Sequence, residues 1–462
     1  MRIVFIQPKV KYPGNSFLPL GIGYLAAFLM EKGHQAKIFD LEVQKISDEE
    51  LLKTINEFNP GAIGLTATIA SAPEAKRLGK IFSERYPWIL YGGPQPTMNP
   101  EDFLLSENSI VVRGEGELTL SELCGVLSGA GDFFQIRGVS FLKNGKPLHN
   151  PERELIKDVN VIPFPARHLY PLSSYEMHLK DKRATNIITS RGCPFECVFC
   201  YNMGGRVYRP RSAENVLAEL EILKNQYGFG AFSIYDDNFT LQKQRLIDIC
   251  QGMLGKKMKM AWRCYSRVNT VDEYLLRLMK KAGCFEIAFG VESGSQKSLD
   301  LMKKRIKVED SRKVIKLCKK VGIQSKAFMM LGFPWETKED IETTISFMEE
   351  VLPDEAQFMC VTPMPNTELW RQVTEKGYPM DANVDYTRLK QAVFGTENFT
   401  KEEMNNLAKE ARQRYNLARK KYAFSHPFSF SARVYFNEKA RGVLPNKIKR
   451  LVRKFQRVLL KI

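Results

Sequence analysis

Histidine is scarce in this chain of 462 residues. With only five in all, a metal centre built on imidazoles has little to draw on. No apolar run reaches the eighteen or so residues that a spanning helix needs, so a membrane-crossing segment is excluded. The opening MRIVFIQPKV lacks the basic-then-apolar layout of a signal peptide and the acid-poor layout of a transit segment, which predicts a cytoplasmic protein. Cysteine is not scarce, but its count of nine is odd and the residues are scattered. That argues against a disulfide framework and for reduced thiols, some of them metal ligands. Hydrophobic content of 44% and charged content of 26% suit an ordinary globular chain long enough for two or three domains.

The carboxyl terminus lacks acids. None follows Glu438, whereas Arg441, Lys447, Lys449, Arg450, Arg453, Lys454, Arg457 and Lys461 do. From Lys447 the run KIKRLVRKFQRVLLKI places Ile448, Leu451, Val452, Phe455, Val458, Leu459 and Ile462 at helical spacing. The spacing predicts a cationic amphipathic helix. Such a helix suits an anionic membrane surface, at its inner face, and equally a docked position with a solvated basic side. Nucleic acid is not expected, because no aromatic residues interleave with the basic ones on the polar face.

Strand-like and helix-like segments alternate twice. Over residues 1–135, strands are expected at Arg2–Gln7, Gln35–Leu41, Ala62–Thr66, Trp88–Tyr91 and Ser109–Arg113, with helices between them. This is the pattern of a doubly wound parallel sheet covered on both faces, with its ligand outside the carboxyl ends of the strands. Those ends carry Gln7-Pro8, Thr66-Ala67-Thr68, Gly92-Gly93-Pro94 and Arg113-Gly114-Glu115-Gly116-Glu117. Residues 136–182 form a connector with a hairpin around Asn144-Gly145. Over residues 183–400 six strand–helix units, beginning near Thr185, Phe232, Met260, Phe285, Ser325 and Ala356, predict a partial (β/α)6 barrel. Residues 401–462 are helical, with Thr400 as the cap and the basic tail at the end.

Directly after the first barrel strand stands Thr189-Ser190-Arg191-Gly192-Cys193-Pro194-Phe195-Glu196-Cys197-Val198-Phe199-Cys200. Three thiolates at spacings of four and three can wrap three corners of an iron–sulfur cube and leave the fourth iron open. A zinc knuckle would ask for a second pair of ligands, and His178 is the only histidine close by in sequence.

The run C-x3-C-x-aromatic-C resembles the signature of the radical S-adenosylmethionine (SAM) enzymes. Asp236-Asp237-Asn238-Phe239-Thr240, Gly290-Val291-Glu292-Ser293-Gly294, Leu331-Gly332-Phe333-Pro334-Trp335-Glu336-Thr337 and Pro363-Met364-Pro365-Asn366-Thr367 are similar to that family's later strand-end motifs. Asn366 stands where glycine is frequent. The resemblance implies a [4Fe–4S] cluster on Cys193, Cys197 and Cys200, with SAM beside Phe199, Asp236, Asp237, Glu292 and Ser293. The open iron would chelate SAM, and one electron from a donor such as flavodoxin or ferredoxin would release a 5′-deoxyadenosyl radical.

Pro19-Leu20-Gly21-Ile22-Gly23-Tyr24-Leu25-Ala26, Tyr91-Gly92-Gly93-Pro94-Gln95-Pro96-Thr97 and Val112-Arg113-Gly114-Glu115-Gly116-Glu117 resemble the cobalamin-binding domain fused to many radical SAM enzymes. That likeness implies cobalamin against Gly92, Gly93, Gly114 and Glu115. The D-x-H-x-x-G loop that supplies an axial histidine is absent, and Gln95 replaces a common histidine. A methylthiotransferase would need three cysteines in the first domain, which has only Cys124. The likeness points to methylation of an unactivated carbon in a small-molecule or lipid substrate. The alternatives are radical cyclisation or rearrangement in lipid or tetrapyrrole-like biosynthesis, and a non-enzymatic electron-transfer or cobalamin-carrying protein. No side chain is assigned to the substrate or to catalysis.

Overall fold

A computed structural model describes residues 1–10, 17–129, 132–381 and 391–443. The amphipathic helix expected from Lys447 lies outside the described residues. The chain divides into two compact units. Met1–Cys264 and Pro363–Gly377 belong to the first; Tyr265–Thr362, Tyr378–Asp381 and the described residues from Gln391 on belong to the second.

In the first unit, β1 (Arg2–Gln7), β2 (Gln35–Asp40), β3 (Ala62–Thr66), β4 (Ile89–Gly92) and β5 (Ser109–Val112) pair in parallel. The expected hairpin is β6 (Val139–Lys143) and β7 (Lys146–His149), which continues this sheet antiparallel beyond β5 in the order β2-β1-β3-β4-β5-β6-β7. Ile3 and Phe5 enter one apolar cluster while Val4 and Ile6 enter another. The unbroken apolar run of β1 is therefore that of a strand covered on both faces. The covering helices are α1 (Leu20–Glu31), α2 (Asp48–Phe58), α3 (Ala72–Ser83), the short α4 (Pro94–Met98) and α5 (Gly116–Leu127). The Ser47 side chain caps α2 by accepting from the Glu50 amide, and Asn59 ends it in the left-handed region.

The partial (β/α)6 barrel follows. The first unit holds β8 (His178–Leu179), β9 (Lys182–Ile187), the two-residue pair β10 (Ser190–Arg191) and β11 (Arg209–Pro210), then α6 (Ala213–Asn225), β12 (Ala231–Ile234) and α7 (Lys243–Gly255). Strand β13 (Ala261–Ser266) spans the boundary between the units. Strands β9, β12 and β13 pair in parallel. In the second unit α8 (Glu273–Lys281), β14 (Cys284–Glu292), α9 (Gln296–Leu301), α10 (Val308–Val321), β15 (Gln324–Leu331), α11 (Lys338–Val351) and β16 (Glu355–Cys360) follow, with β14, β15 and β16 parallel. Helix α12 (Glu368–Glu375) returns to the first unit, while α13 (Lys401–Ser425) and α14 (Phe430–Val443) are in the second. Thr400 and Glu403 form the capping box that starts α13. Among the described residues no helix is long and apolar enough to cross a membrane.

Candidate functional site

A cavity of about 260 Å³ opens in the first unit at the carboxyl ends of β3, β4 and β5. Its inner wall is apolar, from Phe5, Leu65, Leu90, Val112 and Leu120, and its rim is Thr66, Gly92, Gly93, Gly114, Glu115 and Gly116. Two of these glycines are required. Gly93 has φ of 94°, and a Cβ there would lie 2.9 Å from Thr66 Oγ1 and 3.0 Å from the Ala67 carbonyl oxygen. Gly114 has φ of 74° with open space beside it, and its amide donates to Thr97 Oγ1 at 3.1 Å. Positive φ at both turns bares the backbone where a side chain would otherwise stand. Arg191, Met203 and Gly204 of the cysteine loop complete the lining.

That loop leaves β10 and re-enters at β11, paired antiparallel through Ser190 with Pro210 and Arg191 with Arg209. Gly192 takes φ of 79°, and a Cβ would meet the Val207 carbonyl oxygen at 2.2 Å. The Cys193 amide donates to the Gly205 carbonyl, the Cys200 amide to the Cys197 carbonyl, and Asn202 Nδ2 to the Cys193 carbonyl at 2.8 Å. Cys197 is buried, Cys193 half-buried and Cys200 exposed. Surrounding protein desolvates the Cys200 thiol and pushes it up to about 11, and the negative charges of Cys197, Asp237 and Cys193 add to the rise. Cys193 and Cys197 thus lie near enough to Cys200 to act on its thiol. Among the described residues no three His, Cys, Asp or Glu side chains stand close enough together to hold a single metal ion.

The two loops are tied by a buried ionic network that the sequence reading missed. Glu115 accepts from Arg191 Nη1 at 3.0 Å, Arg209 Nη1 at 2.9 Å and the Ile156 amide at 2.9 Å. Glu117 accepts from Arg191 Nη2 at 2.6 Å. The Arg191 guanidinium lies 5.7 Å from the Tyr24 ring centre. Burial alone would raise the Glu115 carboxyl, but the Arg209 hydrogen bond and the Arg191 charge outweigh it and hold it below its usual range. The signal was available in the alternating acids of Gly114–Glu117 and the arginine two places before Cys193, though nothing in the sequence pairs them.

Asp236 is buried and fully engaged. It accepts from the Thr189 amide at 2.6 Å, the Thr189 hydroxyl at 2.5 Å and the Ser190 hydroxyl at 2.7 Å, which fixes the start of the cysteine loop. Asp237 is exposed at its edge; neighbouring protein and the Asp236 charge raise its carboxyl. Phe199 is half-buried. Asn366, in the same unit, has φ of 65°. Asparagine tolerates the left-handed region that glycine usually fills, and its Nδ2 donates to the Met98 carbonyl at 3.2 Å.

In the second unit Glu292 is buried at a register shift of β14, with φ of 67°. Lys304 Nζ donates to its Oε1 at 2.6 Å. A Cβ on Gly290 would lie 2.4 Å from that oxygen and 2.7 Å from that nitrogen, so the glycine makes room for the pair. Ser293 is buried, its hydroxyl 2.9 Å from that of Thr344. Glu336 receives the Gly332 and Phe333 amides at 2.8 and 3.0 Å and the Ser298 hydroxyl at 2.9 Å. The structure therefore brings Gly92, Gly93, Gly114, Glu115 and the three cysteines into one unit with Phe199, Asp236 and Asp237, and puts Glu292 and Ser293 in the other.

Residues 187–348 match the radical SAM superfamily and residues 10–124 the B12 binding domain. An uncharacterized methyltransferase of Pyrococcus horikoshii is 35% identical over 89% of this chain and 91% of its own. The anaerobic magnesium-protoporphyrin IX monomethyl ester cyclase of Rubrivivax gelatinosus is 29% identical over 81% of this chain and 70% of its own. The fold is that of the cobalamin-dependent S-adenosylmethionine radical enzyme OxsB, solved with aqua-cobalamin and S-adenosylmethionine bound. The TM-score is 0.77 at 20% identity, covering 99% of this chain and 70% of that one. The residues present fit these cofactors: three thiols on one glycine-hinged loop suit a cluster, and an apolar cavity with a bare glycine rim suits a large flat ligand. The chain belongs to the B12-binding radical SAM enzymes, the methyltransferase-like family whose cofactors are a [4Fe–4S] cluster, S-adenosylmethionine and cobalamin.

Proposed function

We propose that this enzyme methylates an unactivated carbon of a small-molecule or lipid substrate. The observation that carries the reading is the ionic tie between the glycine-rimmed cavity and the cysteine loop through Glu115, Glu117 and Arg191. It supports a reading in which a methyl-donor pocket and a cluster-binding loop share one connection. When bound, the cluster and SAM supply a hydrogen-abstracting radical, and cobalamin supplies the methyl group. The chain's own residues hold and orient. Cys193, Cys197 and Cys200 would ligate the cluster. Asp236 fixes the loop's first residues, and Asp237 and Phe199 would face SAM. Gly92, Gly93 and Gly114 would let backbone approach cobalamin, with Glu115 keeping that rim in register. An external one-electron donor of the flavodoxin or ferredoxin kind would reduce the cluster, which fits a cytoplasmic setting.

The cyclase relative supports a second reading, ring formation or rearrangement without methyl transfer. Anaerobic reconstitution with iron, sulfide, cobalamin and SAM, followed by mass spectrometry of lipid extracts, separates the two. Methyl transfer adds one methyl group to a product; cyclisation removes hydrogen instead. Cys197→Ala should abolish deoxyadenosine release together with either product. Retention of SAM cleavage in that variant would overturn the cluster assignment, and a cluster that never cleaves SAM would favour a carrier.

A further inference from the structure

The long helix α13 buries Met404, Ala408, Ala411, Tyr415 and Ala423. At its carboxyl end it packs on α14 through Phe424 against Phe436, with ring centres 5.4 Å apart. The turn between these helices nonetheless turns apolar groups outward. Phe428 is 90% exposed, Phe424 62% and Leu417 53%. Leu417 and Phe424 are seven residues apart, so they share one side of the helix with Lys421 between them. Single exposed apolar residues are ordinary; Phe424 and Phe428 at the helix end, with Leu417 on the same side of α13 as Phe424, are a cluster.

The charge around this turn has one sign. From Ala411 to Asn437 there is no carboxylate. Arg412 donates to the Phe358 carbonyl, Arg414 pairs with Glu342 and Glu349, and Arg419 with Glu438. Lys420, Lys421 and Arg433 are exposed and have no ion-pair partner among the described residues. Two rings and a leucine surrounded by uncompensated ammonium and guanidinium groups match an interface that is apolar inside and anionic at its surface.

We propose that the α13–α14 turn is a docking site for an anionic lipid bilayer, with Phe424 and Phe428 entering the headgroup boundary and Lys420 and Lys421 meeting lipid phosphates. The proposal does not rest on the reaction, because binding needs neither cluster nor cobalamin. A lipid surface is favoured over a second copy of the chain because identical basic turns would repel.

The test is co-sedimentation of the full chain with vesicles of phosphatidylcholine alone and vesicles mixed with phosphatidylglycerol. The chain should bind the mixed vesicles, release them at high salt, and leave the neutral ones in solution. Phe424→Ser with Phe428→Ser should weaken binding about tenfold or more, and Lys420→Glu with Lys421→Glu should do the same. Tyr274→Ser, which removes a ring 56% exposed on α8, should change nothing. These positions are at the surface, so an unchanged thermal transition reports intact folding. The proposal is overturned by equal binding to both vesicle types, or by no binding to either. It is also overturned if the turn variants bind normally while truncation after Val443 abolishes binding. A dimer that Phe428→Ser dissolves, or RNA binding with the same residue dependence in place of lipid binding, would reassign the surface.

Discussion

Glu115 and Glu336 each follow a β-strand, one in each unit, and each is largely out of water, yet their carboxyls move in opposite directions. Glu115 meets two guanidinium groups, which outweigh its burial and hold it low. Burial raises Glu336 to about 7, because its partners are backbone amides and a serine hydroxyl, which lower it only in part, and because Asp340 adds negative charge. Dipoles alone do not replace a cation in a buried site. The first loop is thereby an ionic clamp, and the second a turn that folds most readily around a neutral carboxylic acid.

Removing the clamp should give the largest effect. Glu115→Ala leaves Arg191 and Arg209 buried with a carboxylate fewer, which costs about 3–5 kcal/mol by the behaviour of broken buried pairs. Denaturation of the first unit, followed by urea titration, should show it. A loss under about 1 kcal/mol would mean that Glu117 and the loop carbonyls already compensate the arginines. Glu115→Gln sharpens the point through pH. A carboxyl held low contributes stability above its ordinary value of 4.5 that is lost as pH falls through its lowered pKa, so the amide variant should lose that acid limb.

Glu336 should show the reverse limb. Its raised carboxyl favours the folded state most below 4.5, and that contribution is lost as pH rises through about 7. The change is on the order of 3 kcal/mol across that interval. In Glu336→Gln the amide oxygen can accept from the Gly332 and Phe333 amides while its nitrogen donates to Ser298, which imitates the protonated acid. Thermal transitions of the second unit between pH 4.5 and 7 should then flatten. An unaltered slope would place the titrating group elsewhere.

The same contrast explains what the sequence disclosed. Unbroken apolar strands such as Ile3–Ile6, the capped helix after Thr400 and the cysteine spacing are local patterns, and each reappears in the structure where expected. Residues that act across long separations were opaque. Glu115 and Arg209 are 94 positions apart, and no periodicity pairs them. Asp236 illustrates a subtler limit. Its motif implies a contact with SAM, and nothing local in the sequence shows that its carboxylate also accepts from Thr189 and Ser190. Nothing local in the sequence pairs Lys304 with Glu292, yet the two meet in a buried ion pair.

Backbone strain repeats the comparison at its smallest scale. Glu292 in the second unit and Asn366 in the first both sit near φ of 65°, where a Cβ crowds the following carbonyl. Glu292 is held there by the buried Lys304 pair, so local preference is overridden by charge. Asn366 needs no such hold, because a short polar side chain visits this region readily and here reaches the Met98 carbonyl. Asn366→Gly should therefore cost no more than about 1 kcal/mol, the worth of one hydrogen bond offset by relief of the Cβ. Asn366→Ala loses the same bond but keeps the Cβ, and should fall about 1 kcal/mol below the glycine variant in urea denaturation. If alanine matched glycine, the turn would have relaxed out of the left-handed region, and Asn366 would be held by its hydrogen bond alone.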